Sequence, residues 1–564
     1  MTAGGPQAYF LQAQTAAQGG DTAQALTILK QGMEQYPREA GLRHAAGKIL
    51  LDQGDPAAAA DWFGKAHGLE PSRDNFAIDQ AIALGTAGAH GEALAVLDAI
   101  ESRAADTALY CSTRGFSERA AGNLAASAKW YDRALAIEPQ RTRAVQGRAT
   151  VALERGESDA VEQFDRALRL NPSDPHMWYS KAQALDVDGQ TDAARQIMDT
   201  LLAKIPHWPD ALKFVAQLRL AAGEKDFASH YGEAVKRAPQ DANIPAEWAA
   251  QLYGLDYAAE AAEIVTRARR NFPDDARLAL LEAIYSGAAG EDDKATRLYA
   301  ENTADTEERW VHEGRFAIRT GQLDRAEHTL ERALEHNPQN IAAWAFRGIL
   351  WRLTEDPRAA WLHEQEGLVQ RVELHDADTV LPPAIELLNT LHDGSPFPLG
   401  QSLRGGTQTR GQLFDRVEPE LQALRAAILS TLEEYRSALP PLDGDHPLLR
   451  HRGMDWTFAG SWSVRLAGGG DYHTAHIHPE GLLSSALYVH LPPRSGDEDQ
   501  QAGWLEVGRP PPDLELDLEP LHVIEPKERH LALFPSTLFH GTRPFTDGTR
   551  MTVAFDVQTK MDQR

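Results

Sequence analysis

The chain has 564 residues, of which 42% are hydrophobic and 24% charged, the balance of a folded chain and not of a disordered one. Its 82 acidic residues outnumber 56 basic ones, for a formal charge of −26, which disfavours a nucleic-acid-binding protein with its basic footprint. A single cysteine, Cys111, excludes an intramolecular disulfide and a Cys-based structural zinc site.

Read from the start, Met1 to Gln7 has neither the basic nor the apolar region of a signal peptide, and no run of 18 apolar residues follows, so a cytoplasmic protein with no membrane span is expected. The acid excess is evenly spread. The first 380 residues carry 57 acids and 40 bases, the remainder 25 and 16, as expected of a general surface property.

A period then emerges. Glycines fall at Gly20, Gly54, Gly88, Gly122, Gly156, Gly189, Gly223, Gly290 and Gly321, in steps of 33 or 34 apart from one doubled step of 67, with Asp256 near the missing place, and a last step of 31. Pro37, Pro71, Pro139, Pro172, Pro206, Pro239, Pro273 and Pro338 keep the same beat. Ala59, Ala66 and Pro71 follow Gly54 at offsets 5, 12 and 17, and Ala326, Ala333 and Pro338 follow Gly321 at the same offsets. Each unit reads as helix–turn–helix: glycine closes one helix, alanines sit where helices approach, and proline breaks the chain before the next unit. The segment Leu124 to Pro139 has apolar residues at helical spacing. The array resembles the tetratricopeptide repeat over roughly residues 4 to 370, about ten units. That resemblance implies a stacked superhelix whose concave surface holds a peptide or partner protein. Trp62, Trp130, Trp178 and Trp344 are expected in packing between repeats, and Cys111 as a small buried hydrophobe.

The array is expected to end near Trp361, with a polar helical stretch from His363 to Asp376 and Leu381-Pro-Pro383 marking the change of domain, so that 1–375 and 376–564 form two domains. Beyond that point composition shifts toward Gly, Pro, His and β-formers, and the last 184 residues hold 10 of the 21 histidines. A helix is predicted at Glu418 to Ala438, followed by short strands at Ser461–Leu466, His473–His478, Ser484–Leu491, Gly503–Val507, His530–Phe534 and Met551–Val557. Separated by Gly/Pro/Asp clusters, they suggest an antiparallel barrel or jelly roll.

Chemistry concentrates on three of these strands. His476 and His478, two residues apart on a strand, share a face, and His540 follows 62 residues later. Two strand histidines and a distant third can give three ligands on one side of a metal, with positions left for substrate and oxygen, as in mononuclear non-haem iron sites. Arg550 and Thr552 put a guanidinium and a hydroxyl on one strand face, a fork suited to a carboxylate.

The segments Gly460-Ser-Trp-Ser-Val-Arg465, His476-Ile-His-Pro479, Leu483-Ser-Ser-Ala-Leu-Tyr488, Phe534-Pro-Ser536, His540-Gly-Thr542 and Arg550-Met-Thr-Val-Ala-Phe-Asp556 together resemble the 2-oxoglutarate/Fe(II) oxygenases, in the bacterial branch where that domain follows tetratricopeptide repeats. Gln401 to Thr409 resembles a further block of that branch. The resemblance covers about residues 395 to 558 and implies a double-stranded β-helix with flanking helices, holding Fe(II) and 2-oxoglutarate and using molecular oxygen. It makes His476 and His540 the first and last metal ligands, and has Arg550, helped by Thr552, grip the distal carboxylate of 2-oxoglutarate. Tyr488 is a further candidate for that pocket. The third ligand position departs from the wider pattern: His478 stands where most relatives have Asp or Glu, which leaves the metal complex more positive by one charge. Glu480 is an alternative oxygen donor.

Other residues carry blander expectations. His446, His451, His490, His522 and His530 are read as surface or satisfied residues, and His473 as facing away from His476. Arg543 is read as a solvated turn residue, and Asp497–Asp499 and Asp513–Glu519 as solvated acidic loops. Arg465, Arg404 and Gln408 are candidates to line a substrate pocket. The expected function is an Fe(II)- and 2-oxoglutarate-dependent oxygenase that hydroxylates a protein or peptide client recruited by the repeats. The alternatives are a catalytically silent scaffold and a three-histidine dioxygenase that does not use 2-oxoglutarate.

Overall fold

A computed structural model describes residues 5–395, 403–469, 471–493 and 500–559. The chain divides into two compact units, residues 1–181 and 182–560.

The first unit is built of helical pairs, such as Pro6–Gln18 with Thr22–Gln35 and Ala40–Asp52 with Pro56–Leu69. The sequence period is a capping period. Gly20 takes φ 84° so that the Asp21 amide can reach back to the Ala16 carbonyl at 2.9 Å, which closes the first helix. The Asp21 carboxylate then accepts from the Gln24 amide at 2.9 Å and starts the second helix. Within a pair, small residues set the approach: a Cβ on Gly47 would lie 2.6 Å from the Phe63 ring. Cys111 is buried, its thiol donating to the Ala105 carbonyl, and burial pushes its pKa up. Trp130 packs beside Tyr110, while the Trp178 indole bonds the Pro172 carbonyl.

The second unit continues the pattern and joins it to a β-structure. At the doubled glycine step the left-handed position is filled by Asp256 (φ 70°), and the beat runs on to Glu355 (φ 54°), where the sequence shows no glycine. The last repeat helices are Glu307–Arg319, Leu323–His336, Ile341–Leu353 and Arg358–His363. The stretch after His363 is not helical as expected. It contains a strand, Gln370–Glu373, and the next helix spans Ala377–Asp393. Pro382 and Pro383 lie inside that helix and do not form a boundary.

Among the described residues there are eleven strands in chain order: β1 Gln370–Glu373, β2 Leu403–Arg404, β3 Thr407–Gln408, β4 Trp456–Ala467, β5 Tyr472–His473, β6 Leu483–His490, β7 Leu505–Val507, β8 His522–Ile524, β9 His530–Pro535, β10 His540–Thr542 and β11 Thr549–Thr559. The large sheet has the order β1-β9-β6-β11-β4-β3, a smaller one β10-β7-β8, and β2 pairs with β5. Alternation sorts the faces of the large sheet. Leu483, Leu487, Leu531, Leu533, Met551, Val553 and Phe555 pack outward with helices Ala377–Asp393 and Pro419–Ala438. On the inner face Tyr488, Ala532 and Phe534 meet Leu505 and Val507 of the small sheet. The result is a sandwich of two facing sheets, consistent with the expected jelly roll, with helices flanking its outer face.

The repeats are not merely tethered to this sandwich. Leu514, Leu516, Leu518, Ile477 and Phe539 pack into one apolar cluster with Trp344, Phe346 and Trp351 of the last repeats. Asp513 pairs with Arg315, and Arg352 donates to the Glu519 carbonyl at 2.5 Å. The acids of 513–519 are exposed, as expected, while the leucines that alternate with them dock the segment onto the last repeats.

Candidate metal centre

The strand expected at His473–His478 stops at His473. His476 instead makes an isolated antiparallel bridge with His540, with backbone bonds of 2.9 and 3.0 Å in the two directions. This bridge brings the distant histidine beside the pair. One ring nitrogen from each of His476, His478 and His540 lies within 4.8 Å of the others.

Hydrogen bonds on the far side of each ring fix the tautomers. His476 Nδ1–H donates to the Thr474 carbonyl at 2.8 Å, and His540 Nδ1–H to the Leu538 carbonyl at 3.2 Å. His478 Nδ1–H donates to Asp556 Oδ1 at 2.6 Å. A carbonyl or carboxylate oxygen only accepts, so a proton sits on each Nδ1, and in the neutral ring Nε2 presents a bare lone pair. Nε2 of His476 and of His478 are 3.0 Å apart. Two lone pairs at that distance repel, and a cation between them removes the repulsion. Donors about 2.1 Å from one metal and at right angles are about 3.0 Å apart, so the spacing fits. Burial, with the neighbouring imidazoles second, pushes the pKa values of His476 and His540 well below the usual value, which keeps both rings neutral and able to ligate. The Phe534 ring lies 4.7 Å from His540, and the Trp462 ring 5.3 Å from His478.

The strand β11 places the second part of the site. Its inner face carries Arg550, Thr552, Ala554 and Asp556. Asp556 holds His478 at one end, and Arg550 lies at the other. Arg550 is buried, its guanidinium 5.1 Å from the centre of the Tyr488 ring, and its Nη1 donates to the Gly503 carbonyl at 2.8 Å. Among the described residues Arg550 has no acidic partner, and neither its Nε nor the Tyr488 hydroxyl has a hydrogen-bond partner. Thr552 is opposite Tyr488 on β6 and Val464 on β4. A buried cation without an anion is costly, so this end of the cavity suits a carboxylate. Burial lowers the Arg550 pKa and raises that of Tyr488.

Several candidates fall elsewhere. His473 stacks on His476 at 5.6 Å and lies outside the cluster of three. Glu480 is exposed and also outside it. Arg465 points to the outer face, where Nη1 donates to Asp393 at 3.0 Å, so it does not line a pocket beside the histidines. Gln408 is half-buried beside Val464, its Oε1 unpartnered among the described residues. The side chain of Arg404 and the acidic run 497–499 lie outside the described residues. Arg543 is ion-paired with Glu506 at 2.8 Å instead of solvated. His446 is buried and satisfied, donating to the Leu362 carbonyl at 3.0 Å. Sequence reasoning missed the part of Asp556, although its even spacing from Arg550 and Thr552 already put it on their face.

Residues 460–556 match the family model described as "Putative 2OG-Fe(II) oxygenase". Residues 10–74, 157–218 and 313–366 match tetratricopeptide-repeat models. The "Cellulose synthase 2 operon protein C" of Komagataeibacter xylinus is 28% identical over 256 residues, 41% of this chain; the chain spans 19% of that relative's length. Among solved structures, a tetratricopeptide repeat protein from Parabacteroides merdae is 16% identical with a TM-score of 0.34, covering 43% of this chain and 97% of its own. Yeast Tom70 is 14% identical with a TM-score of 0.34, covering 63% of this chain and 90% of its own. No described helix is long and apolar enough to cross a membrane. The chain carries tetratricopeptide repeats followed by a C-terminal domain that matches the 2OG-Fe(II) oxygenase family.

Proposed function

We propose that the protein is an Fe(II)- and 2-oxoglutarate-dependent dioxygenase that hydroxylates a protein or peptide client recruited by its repeats. The observation that carries this reading is the convergence of three Nε2 lone pairs, each ring locked from behind by a bond at Nδ1. The donor set fits Fe(II), and the unpartnered Arg550 Nε and Tyr488 hydroxyl fit a buried carboxylate.

His476, His478 and His540 would hold the iron, which together with 2-oxoglutarate and molecular oxygen supplies oxidising power for a C–H bond. Arg550 binds the distal carboxylate of 2-oxoglutarate through charge-assisted hydrogen bonds, Tyr488 adds a hydroxyl donor, and Thr552 lies between that end and the histidines. Phe534, Leu505 and Val507 exclude water from the inner face, which strengthens each polar contact there. Trp462, half-buried, packs its ring against His478 and holds that imidazole in place.

The test incubates candidate peptides with iron-loaded protein and reads peptide mass and succinate together. A 16-dalton gain that requires Fe(II) and 2-oxoglutarate and is lost in His540→Ala is expected. Oxidation that proceeds without 2-oxoglutarate favours the three-histidine dioxygenase reading, which the absent ligand carboxylate motivates. A native protein that binds no metal favours the silent scaffold.

A further inference from the structure

The ligand set lacks a carboxylate, yet one is present a single ring away. We infer that Asp556 is a positioning residue that supplies, through the His478 imidazole, the negative charge that three neutral histidines do not bring to the metal. The inference rests on the metal-site reading above.

Asp556 is 6% exposed and sits on the inner face of β11 opposite Gly460 and Ser484, where the β11–β4 pairing shifts register between Asp556 and Val557. Its Oδ1 accepts from His478 Nδ1–H at 2.6 Å and from the Ser484 hydroxyl at 3.1 Å, and Ser484 also contacts Ser536 at 2.8 Å. Among the described residues no lysine or arginine pairs with it; its close partner is the His478 ring. A buried carboxylate with no permanent cation beside it is uncompensated. The balance closes when the ring's other nitrogen holds a divalent cation, because the imidazole then becomes a strong donor toward Asp556. The need is mutual: the cation lacks an anionic ligand, and the carboxylate lacks a cation. The packing is fitted to this pairing. A Cβ on Gly481 would lie 2.8 Å from the Asp556 Cβ, so the chain passes where only glycine lets the carboxylate sit. His476 and His540 have neutral carbonyls behind them, so the charge enters through His478 alone, at the position where a carboxylate ligand is missing.

The test uses the full chain and Co(II) as probe under anaerobic conditions, with the Fe(III)/Fe(II) potential as a second readout. Asp556→Asn keeps an oxygen for His478 Nδ1–H and removes only the charge. Co(II) is expected to bind 10- to 100-fold more weakly, and the potential to move positive. Equal affinity and an unchanged potential in folded Asp556→Asn overturn the inference and leave the metal-site reading standing. A wild-type protein that binds no Co(II) overturns that reading, and the inference with it. Should Asp556→Asn not fold, Ser484→Ala decides, since it removes a hydrogen bond and keeps the charge. Affinity within about threefold of wild type supports the electrostatic account, and a tenfold loss overturns it in favour of network shape.

Discussion

Arg550 and Asp556 divide the work of one strand face, and each makes a separable demand on ligand binding. In the proposed function Arg550 has no part in holding a metal and offers its unpartnered Nε to a carboxylate. Arg550→Gln should therefore weaken 2-oxoglutarate binding about 10- to 100-fold, as expected for losing a charge-assisted contact worth roughly 1.5–3 kcal/mol, and leave Co(II) affinity unchanged. Titration calorimetry with each ligand checks this, and a parallel loss of both affinities contradicts it. At this scale the sequence was informative wherever residue type and alternation sufficed: His476 and His478, and Arg550 and Thr552, each two residues apart, stand out as candidates. It was not informative where direction depended on a neighbour. Arg465 lies on a strand that flanks the site, but Asp393 of the outer helix claims it, and nothing local to Arg465 announces that. Asp556 was visible as a residue and invisible as a partner, because only the β11–β6 register brings it behind His478.

Elements set the positions of these residues through packing. Ile477 lies between two of the histidines, and Phe539 immediately precedes the third. Both pack into the core of the last repeats, with the Phe539 ring 5.6 Å from Phe346. Phe346→Ala, a buried substitution in the repeats, should cost roughly 3 kcal/mol of stability and also weaken Co(II) binding several-fold, because it loosens the strand that presents His540. Thermal melts paired with Co(II) titration read both effects; a stability loss with unchanged metal affinity contradicts the coupling. The repeat period was legible because capping chemistry is local. Gly20 shows the left-handed turn in sequence, whereas Asp256 and Glu355 adopt the same conformation without a glycine to mark it. The short strands β8 and β10 and the docking loop at 513–519 were not legible, since three residues carry too little periodicity and their partners are distant in sequence.

The second unit behaves as one structure in which the sandwich and the last repeats share a core, and its buried histidines give it a definite response to acid. Burial pushes His363 down to about 3, and His392 and His446 to about 4, with charged or imidazole neighbours adding smaller effects. His392 is held neutral between the Thr407 and Ser463 hydroxyls at 2.9 Å each. A folded pKa below the unfolded one means that the unfolded chain binds more protons across that interval. Stability is therefore full above about pH 6.5 and falls as pH drops toward 4, by up to about 3 kcal/mol per histidine at roughly 1.4 kcal/mol per unit. The urea midpoint of the metal-free protein should fall between pH 7 and pH 5, and a flat midpoint contradicts the burial of these rings. The central claim, that the three histidines and Arg550 form one iron and 2-oxoglutarate site, is tested most directly by the absorption spectrum of the anaerobic Fe(II) protein titrated with 2-oxoglutarate. A metal-to-ligand charge-transfer band that saturates at one equivalent and is absent in His540→Ala is the expected result. Bound iron with no band at saturating 2-oxoglutarate would contradict the account.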